Sequence, residues 1–448
     1  MAGGEMAHAK IQRLGRFAYL STMSIWGLMA YAEIVKIWRK GELFGFVRDG
    51  QPYVSDFALY YQAAVLGKKC LEQAAQHINI YDAMVQHETM RSFMDVMPQA
   101  PMYLQYPPYF FTLQSPLGFL SIDGAFWLFT LASLLCAFAT FHYCLAPYLK
   151  TRTQYWCAAI MIFSSFPFWQ TLRLGQSALF LMASFYFSLM IRPGIASGAS
   201  AFYTLIKLQY LPTAGLTGLL RSKLPFAIGI CATGALLTIG ACLTLGWHNV
   251  VAFPNALFNH ELNAPAIGVS QEEMQNVRGQ AILLTRMIMK DAAVYMKVVG
   301  AMTIGAFACM LAYTGWVWWR LRKIEMKDAQ HPLVALAICI TLIGALIASP
   351  HTHKQDYVLL ALPAVICFWL HHNQILQTER ARKLIARANR LCWWLPLLSW
   401  PFFVLMFLFQ FMLVQPFFVY ALALLVIVVA CFECEYAADV KRSSANWV

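Results

Sequence analysis

An all-α polytopic membrane protein is the fold class this sequence predicts, and three observations predict it. Of its 448 residues, 60% are hydrophobic and only 12% are charged, against roughly 25% charged in a soluble domain. Apolar runs of about 20 residues, the length that crosses a hydrocarbon core, recur from end to end. Basic residues gather in several short connections between those runs, the pattern expected of cytoplasmic loops. No tandem repeat and no low-complexity tract is present, so a solenoid is not expected.

The first apolar run, 17–36, is longer than a signal-peptide core and lacks a small-residue cleavage site, so it reads as an uncleaved signal anchor. Further spans are expected at 124–146, 153–171, 175–191, 224–246, 297–319, 332–349, 356–371, 392–413 and 416–434. With shorter elements included, about 10–12 transmembrane helices form one integral-membrane domain, 1–448. Lys10, Arg13 and Arg16 precede the first span. Arg320, Arg322, Lys323 and Lys327 fill one connection, and Arg380, Arg382, Lys383, Arg387 and Arg390 another. These basic loops belong inside. Both termini are then cytoplasmic, and the two long, slightly acidic loops, 38–108 and 247–296, are extracytoplasmic and carry juxtamembrane helices.

Tyr109–Leu120 is short and bounded by prolines. Read as juxtamembrane or re-entrant, it leaves Lys150, Arg152, Arg192, Arg221 and Lys223 inside, provided that 198–220 enters and leaves as two short helices broken near Lys207–Pro212. Read as a span, it puts Lys150, Arg152 and Arg192 outside, against the charge rule. The first reading is preferred.

The net charge of +12 fits contact with anionic headgroups and calls for no nucleic acid. The twelve cysteines lie mostly within spans, where the thiol acts as a small apolar group. Cys431 and Cys434 form a lone C-x-x-C, a weak metal or redox signal.

Polar side chains in such a chain are expensive and point to cavities or partners. Asp56 opens an amphipathic segment, Ser55-Asp56-Phe57-Ala58-Leu59-Tyr60-Tyr61. Ser55 or Asp56 can cap the helix that follows, or Asp56 can serve as a base at the membrane surface. Lys207 is either a lysine snorkelling to the interface or a cation for a phosphate. Arg173 and Gln176 flank a turn that needs Gly175, and Arg173 suits a headgroup anchor equally well. Ser349-Pro350-His351-Thr352-His353-Lys354-Gln355-Asp356 is the richest cluster. It lacks the third and fourth ligands of a zinc site, and its donors suit an anionic phosphate or a plain interfacial loop. Tyr103, Tyr106 and Tyr109 around Pro107-Pro108 form either an interfacial aromatic belt or a stacking surface for a sugar or prenyl chain.

Taken in order, these segments resemble the integral-membrane glycosyltransferases of the GT-C fold, in particular glycosyltransferase family 87, the polyprenyl-phosphate-mannose-dependent group. The resemblance rests on Asp56-Phe57 with Tyr60-Tyr61 and Ala63-Ala64, then Tyr81-Asp82, Tyr106-Pro107-Pro108, Leu174-Gly175-Gln176, Lys207 ahead of Pro212, and Ser349-Pro350-His351-Thr352-His353. Four residues separate Lys207 from Pro212, where the family often has Lys-Pro. The resemblance implies a GT-C type fold in a bacterial plasma membrane, with the active site on the outer face. It implies a polyprenyl-phosphate sugar donor, mannose by default, and inverting transfer to a lipid or glycan hydroxyl, with membrane lipids as the remaining partners. Asp56 then becomes the general base. Lys207, His351, His353, Lys354 and Arg173 become the donor phosphate-binding group, and Tyr60, Tyr106 and Gln176 contact substrate. Phosphate is already a fair leaving group, so a separate general acid is not required, and because cationic side chains can serve the phosphate, neither a metal nor another cofactor is expected.

A polytopic secondary transporter of a small polar solute is the main alternative. It calls for broken helices in both halves of the chain, and only the Lys207 region offers one. A non-catalytic scaffold is a third reading.

Overall fold

The computed structural model describes residues 19–29, 31–32, 47–48, 51–52, 56–73, 76–94, 104–263, 273–289, 291–323 and 328–445. Ser55, Tyr103, parts of the 17–36 span, Lys10, Arg13, Arg16, Lys327 and the middle of the second long loop lie outside them. The described chain is helical throughout, apart from turns and a minimal antiparallel pairing of Val47–Arg48 with Gln51–Pro52.

Among the described residues, four helical stretches are long and apolar enough to cross a membrane: Ile122–Tyr148, Leu224–Leu245, Val294–Arg320 and Pro416–Arg442. They coincide with four expected spans. Other expected spans are shorter or broken, and proline explains the clearest case. The 153–171 run divides into helices Arg152–Phe163 and Phe166–Leu174. Pro167 has no N–H to offer the carbonyl of Phe163, and Ser165 between the helices is extended. The 392–413 run belongs to a helix that begins at Glu379, holds Pro396 and Pro401, and stops at Val404. The basic stretch from Arg380 to Arg390 is therefore the start of that helix, not a loop.

Apolar helices occupy two environments. In Pro332–Ala348 every residue from Leu333 onward is buried, which makes it the central helix. Pro416–Ala445 and the turn Lys354–Leu360 pack on it. Leu224–Leu245 is also strongly apolar, but only Phe226, Gly229, Ala241 and Leu245 are buried, as suits a lipid-facing helix. It still meets the helix Ile195–Ser200 closely. A Cβ on Gly198 would lie 2.2 Å from the Phe226 carbonyl oxygen, and one on Gly229 would lie 2.1 Å from that of Ile195. Small residues of this kind let helix backbones touch.

The 109–120 segment is a seven-residue helix, Pro108–Gln114, followed by the 3-10 turn Ser115–Phe119. At about 1.5–2 Å per residue it is too short to span. It packs on the helix Asp56–Glu72. The 198–220 region is broken as expected, with helices Phe202–Ile206 and Leu211–Ser222 separated by Lys207 and a single 3-10 turn.

Candidate active site

Asp56 is the first residue of the helix Asp56–Glu72. Its carboxylate stands at the positive end of the helix dipole, and Lys69 balances the other end. The face bearing Phe57, Tyr60, Ala63 and Ala64 is buried, and this fixes the helix against its neighbours. Opposite it, the helix Phe166–Leu174 ends in a Schellman turn. The Gly175 N–H donates to the Leu172 carbonyl, and the Gln176 N–H donates to that of Thr171. Gly175 has φ 61°, and a Cβ there would come within 2.6 Å of Phe57 Cβ. Glycine thus permits both the left-handed turn and the close approach that delivers Gln176 to Asp56. Gln176 Nε2 donates to Asp56 Oδ2. The Tyr60 hydroxyl lies 3.0 Å from Gln176 Oε1, 3.0 Å from Ser177 Oγ and 3.2 Å from the Tyr106 hydroxyl.

A second set forms where the broken helix meets the loop after Pro332–Ala348. Lys207 leaves helical geometry, with φ −93° and ψ 76°. Its Nζ lies 2.6 Å from Asp356 Oδ1, and the two side chains are only 8% and 1% exposed. Asp356 Oδ2 accepts from the His353 N–H at 3.1 Å. The Tyr210 hydroxyl is 3.2 Å from Thr352 Oγ1, and Gln209 Nε2 donates to the His351 carbonyl at 3.4 Å.

The second long loop closes the set. The Gln275 N–H donates to the Thr352 carbonyl, the Tyr357 hydroxyl to the Gln275 carbonyl, and Asn276 Nδ2 to the Ser349 carbonyl. Arg278 Nη1 lies 3.3 Å from His351 Nε2. Lys354 Nζ lies 3.6 Å from Glu273 and 5.4 Å from the centre of the Phe403 ring.

Electrostatics join the two sets. Burial raises the Asp56 carboxyl above its ordinary value. The Gln176 hydrogen bond and the charges of Lys207 and Lys354 pull it back, while Glu273 adds to the rise. Burial pushes His353 down to about 4, against the pull of Asp356, so its imidazole is neutral at neutral pH. The arrangement offers a carboxylate able to take a proton and two lysines, paired with Asp356 and Glu273, whose charges reach it.

Asp56, Gln176, Tyr60 and Tyr106 form one hydrogen-bonded set; Lys207 and His353 meet at Asp356, and His351 and Lys354 contact Arg278 and Glu273. Arg173 sits with its guanidinium 5.2 Å from the Trp169 ring centre, on its own helix. Ser177 and the segment from Glu273 to Arg278 carry no signal of a site in the sequence, where the charges of that segment read only as loop charge. Asp356 belongs to the polar cluster in the sequence, and the structure adds that it is the counterion of Lys207. Among the described residues no group of His, Cys, Asp and Glu is placed to hold a metal ion.

The model of glycosyltransferase family 87 matches residues 103–350, more than half of the chain. The chain belongs to glycosyltransferase family 87. It is a glycosyltransferase, with a sugar donor and an acceptor as its substrates, and the family does not favour a solute carrier. Tyr106, Arg173, Gln176, Lys207 and Arg278 lie within the matched stretch of this glycosyltransferase, whereas Asp56 and His351–Lys354 flank it. No curated protein and no solved structure matches the chain.

Proposed function

We propose that this family 87 enzyme transfers a sugar, mannose by default, from a polyprenyl-phosphate donor to a hydroxyl of a lipid or glycan acceptor at the outer face of the membrane. Asp56 acts as general base. It takes the acceptor proton while the acceptor oxygen attacks the anomeric carbon from the face opposite the phosphate. A new C–O bond forms, the bond from the anomeric carbon to the phosphate oxygen breaks, and the configuration inverts. The electron pair of the broken bond leaves with the polyprenyl phosphate.

Negative charge grows on that phosphate. Lys207 and Lys354 face it, with His351 and the neutral His353 as hydrogen-bonding groups, and preorganised charge of this kind is commonly a large part of rate acceleration. Asp356 holds Lys207 in place until an anion arrives. Arg173 anchors a headgroup at the rim. Tyr106 presents an aromatic face, stacked on Phe110 at 4.3 Å between ring centres, toward the donor. The described residues of the two long loops supply the walls.

What supports this reading is a carboxylate held by Gln176 at a helix start, with the charges of the buried Lys207 and of Lys354 favouring its ionised form. Radiolabelled polyprenyl-phosphate-mannose, offered to the purified enzyme with lipids of its own membrane, tests it. Label appears in a new lipid or glycan product if the reading holds. Label that stays on the donor, with a nucleotide sugar used instead, overturns it.

A further inference from the structure

With Asp56 ionised, the three contacts of Tyr60 admit only one pattern of hydrogens. A carboxylate oxygen only accepts, so the Gln176 amide presents its NH2 to Asp56. Its Oε1 must then accept the single proton of the Tyr60 hydroxyl. With that proton used, Tyr60 can only accept from its other two neighbours, the hydroxyls of Tyr106 and Ser177. Donation therefore runs in one direction, from Tyr106 to Tyr60 to Gln176 to Asp56. Tyr60 is 1% exposed and Ser177 fully buried, and burial raises both tyrosine hydroxyls, so they remain protonated donors. Aligned donors in a low-dielectric setting reinforce one another.

We infer that Tyr60 and Gln176 are positioning residues for Asp56, a relay that locks the orientation of its carboxylate and keeps it ionised, rather than contacts to the sugar. The inference rests on the reading of Asp56 as general base. Gln176 holds Oδ2, and Oδ1 is the oxygen that takes the acceptor proton. Tyr60 in turn prevents the amide from flipping, which would set a carbonyl oxygen against the carboxylate. The other groups that act on Asp56 are Lys207 and Lys354, which favour its charge, and Glu273, which opposes it; Asp56 in turn helps to hold the Tyr60 and Tyr106 hydroxyls protonated. The relay is the contribution that substitution removes without altering net charge.

The test reads the protonation of Asp56 directly. Dicyclohexylcarbodiimide modifies protonated carboxyl groups in apolar surroundings, and mass spectrometry of the Asp56 peptide against pH gives a midpoint. Gln176→Leu is expected to move that midpoint up by about one to two pH units, the worth of one charge-assisted hydrogen bond. Tyr60→Phe keeps the ring and moves it up by less. The acid limb of transfer from radiolabelled polyprenyl-phosphate-mannose moves with it, and kcat falls while KM holds. Should Gln176→Leu fail to fold in a thermal unfolding assay, Tyr60→Phe carries the test. An unchanged midpoint in the folded variants, or a raised KM with an unmoved acid limb, overturns the relay. Full transfer by Asp56→Asn would overturn the base reading instead, and the carbodiimide midpoints would still report on the relay.

Discussion

The ion pair between Lys207 and Asp356 ties the broken helix to the loop that follows the central helix. The 2.6 Å separation and near-complete burial put it among pairs that are costly to break singly. Removing one partner leaves an uncompensated charge in a poorly solvated site, at about 3–5 kcal/mol. Removing both leaves no buried charge, and an apolar replacement of similar volume can be neutral. Lys207→Met and Asp356→Asn should each lower the thermal unfolding temperature sharply, and the double variant should recover most of the loss. Asp356→Ala should be worse than Asp356→Asn by about 1 kcal/mol, because it also removes the acceptor of the His353 N–H. Detergent-solubilised protein, followed by thiol-reactive dye or by loss of monodisperse elution on heating, gives the cycle. Strictly additive losses would refute the coupling. Donor use should stay low in the double variant even where stability returns, since Lys207 itself is gone.

Two further outcomes follow from the same geometry. His353 titrates near 4 in the folded protein against an ordinary value of 6.5, so between those values the unfolded chain binds a proton that the folded chain does not. Stability is full above about pH 6.5 and falls toward pH 4, by up to about 3 kcal/mol; His353→Gln should flatten that slope in unfolding scans, and an unchanged slope would assign it to other groups. Gly175→Ala should cost about 1–2 kcal/mol from its left-handed backbone alone, with more from the contact with Phe57, and should cut transfer because Gln176 is displaced from Asp56. Wild-type transfer in that variant would show that the turn does not set the site.

Much of the fold is legible in the sequence because membrane helices announce themselves by composition. Composition does not reveal the breaks within apolar runs. Those depend on single residues, Pro167 in one run and Pro396 and Pro401 in another, whose missing N–H groups end or bend a helix that hydropathy reads as continuous. The start of the Glu379 helix was hidden for a different reason. Basic residues look like a loop, yet Thr378 caps that helix through the Ala381 N–H and Glu379 pairs with Lys383 one turn on.

At the site, the residue types were visible and their partners were not. Asp56 and Gln176 are 120 positions apart, and Lys207 and Asp356 are 149 apart. No local periodicity encodes such meetings. Leu174-Gly175-Gln176 signals a turn, but the second reason for the glycine, the close approach of Phe57 on another helix, is not legible in the sequence. The amide-rich segment around Gln275 and Asn276 left no signal at all, since uncharged polar residues in a long loop look like solvated surface.

The central claim is that Asp56 takes the acceptor proton. Its most direct test is the rate of sugar transfer from polyprenyl-phosphate-mannose by Asp56→Asn beside the wild type, in the same lipid and at matched protein levels. A positioned base is worth about 10²–10⁴ in rate, so the variant should fall by at least about a hundredfold while its unfolding temperature holds. Transfer at the wild-type rate would contradict the account.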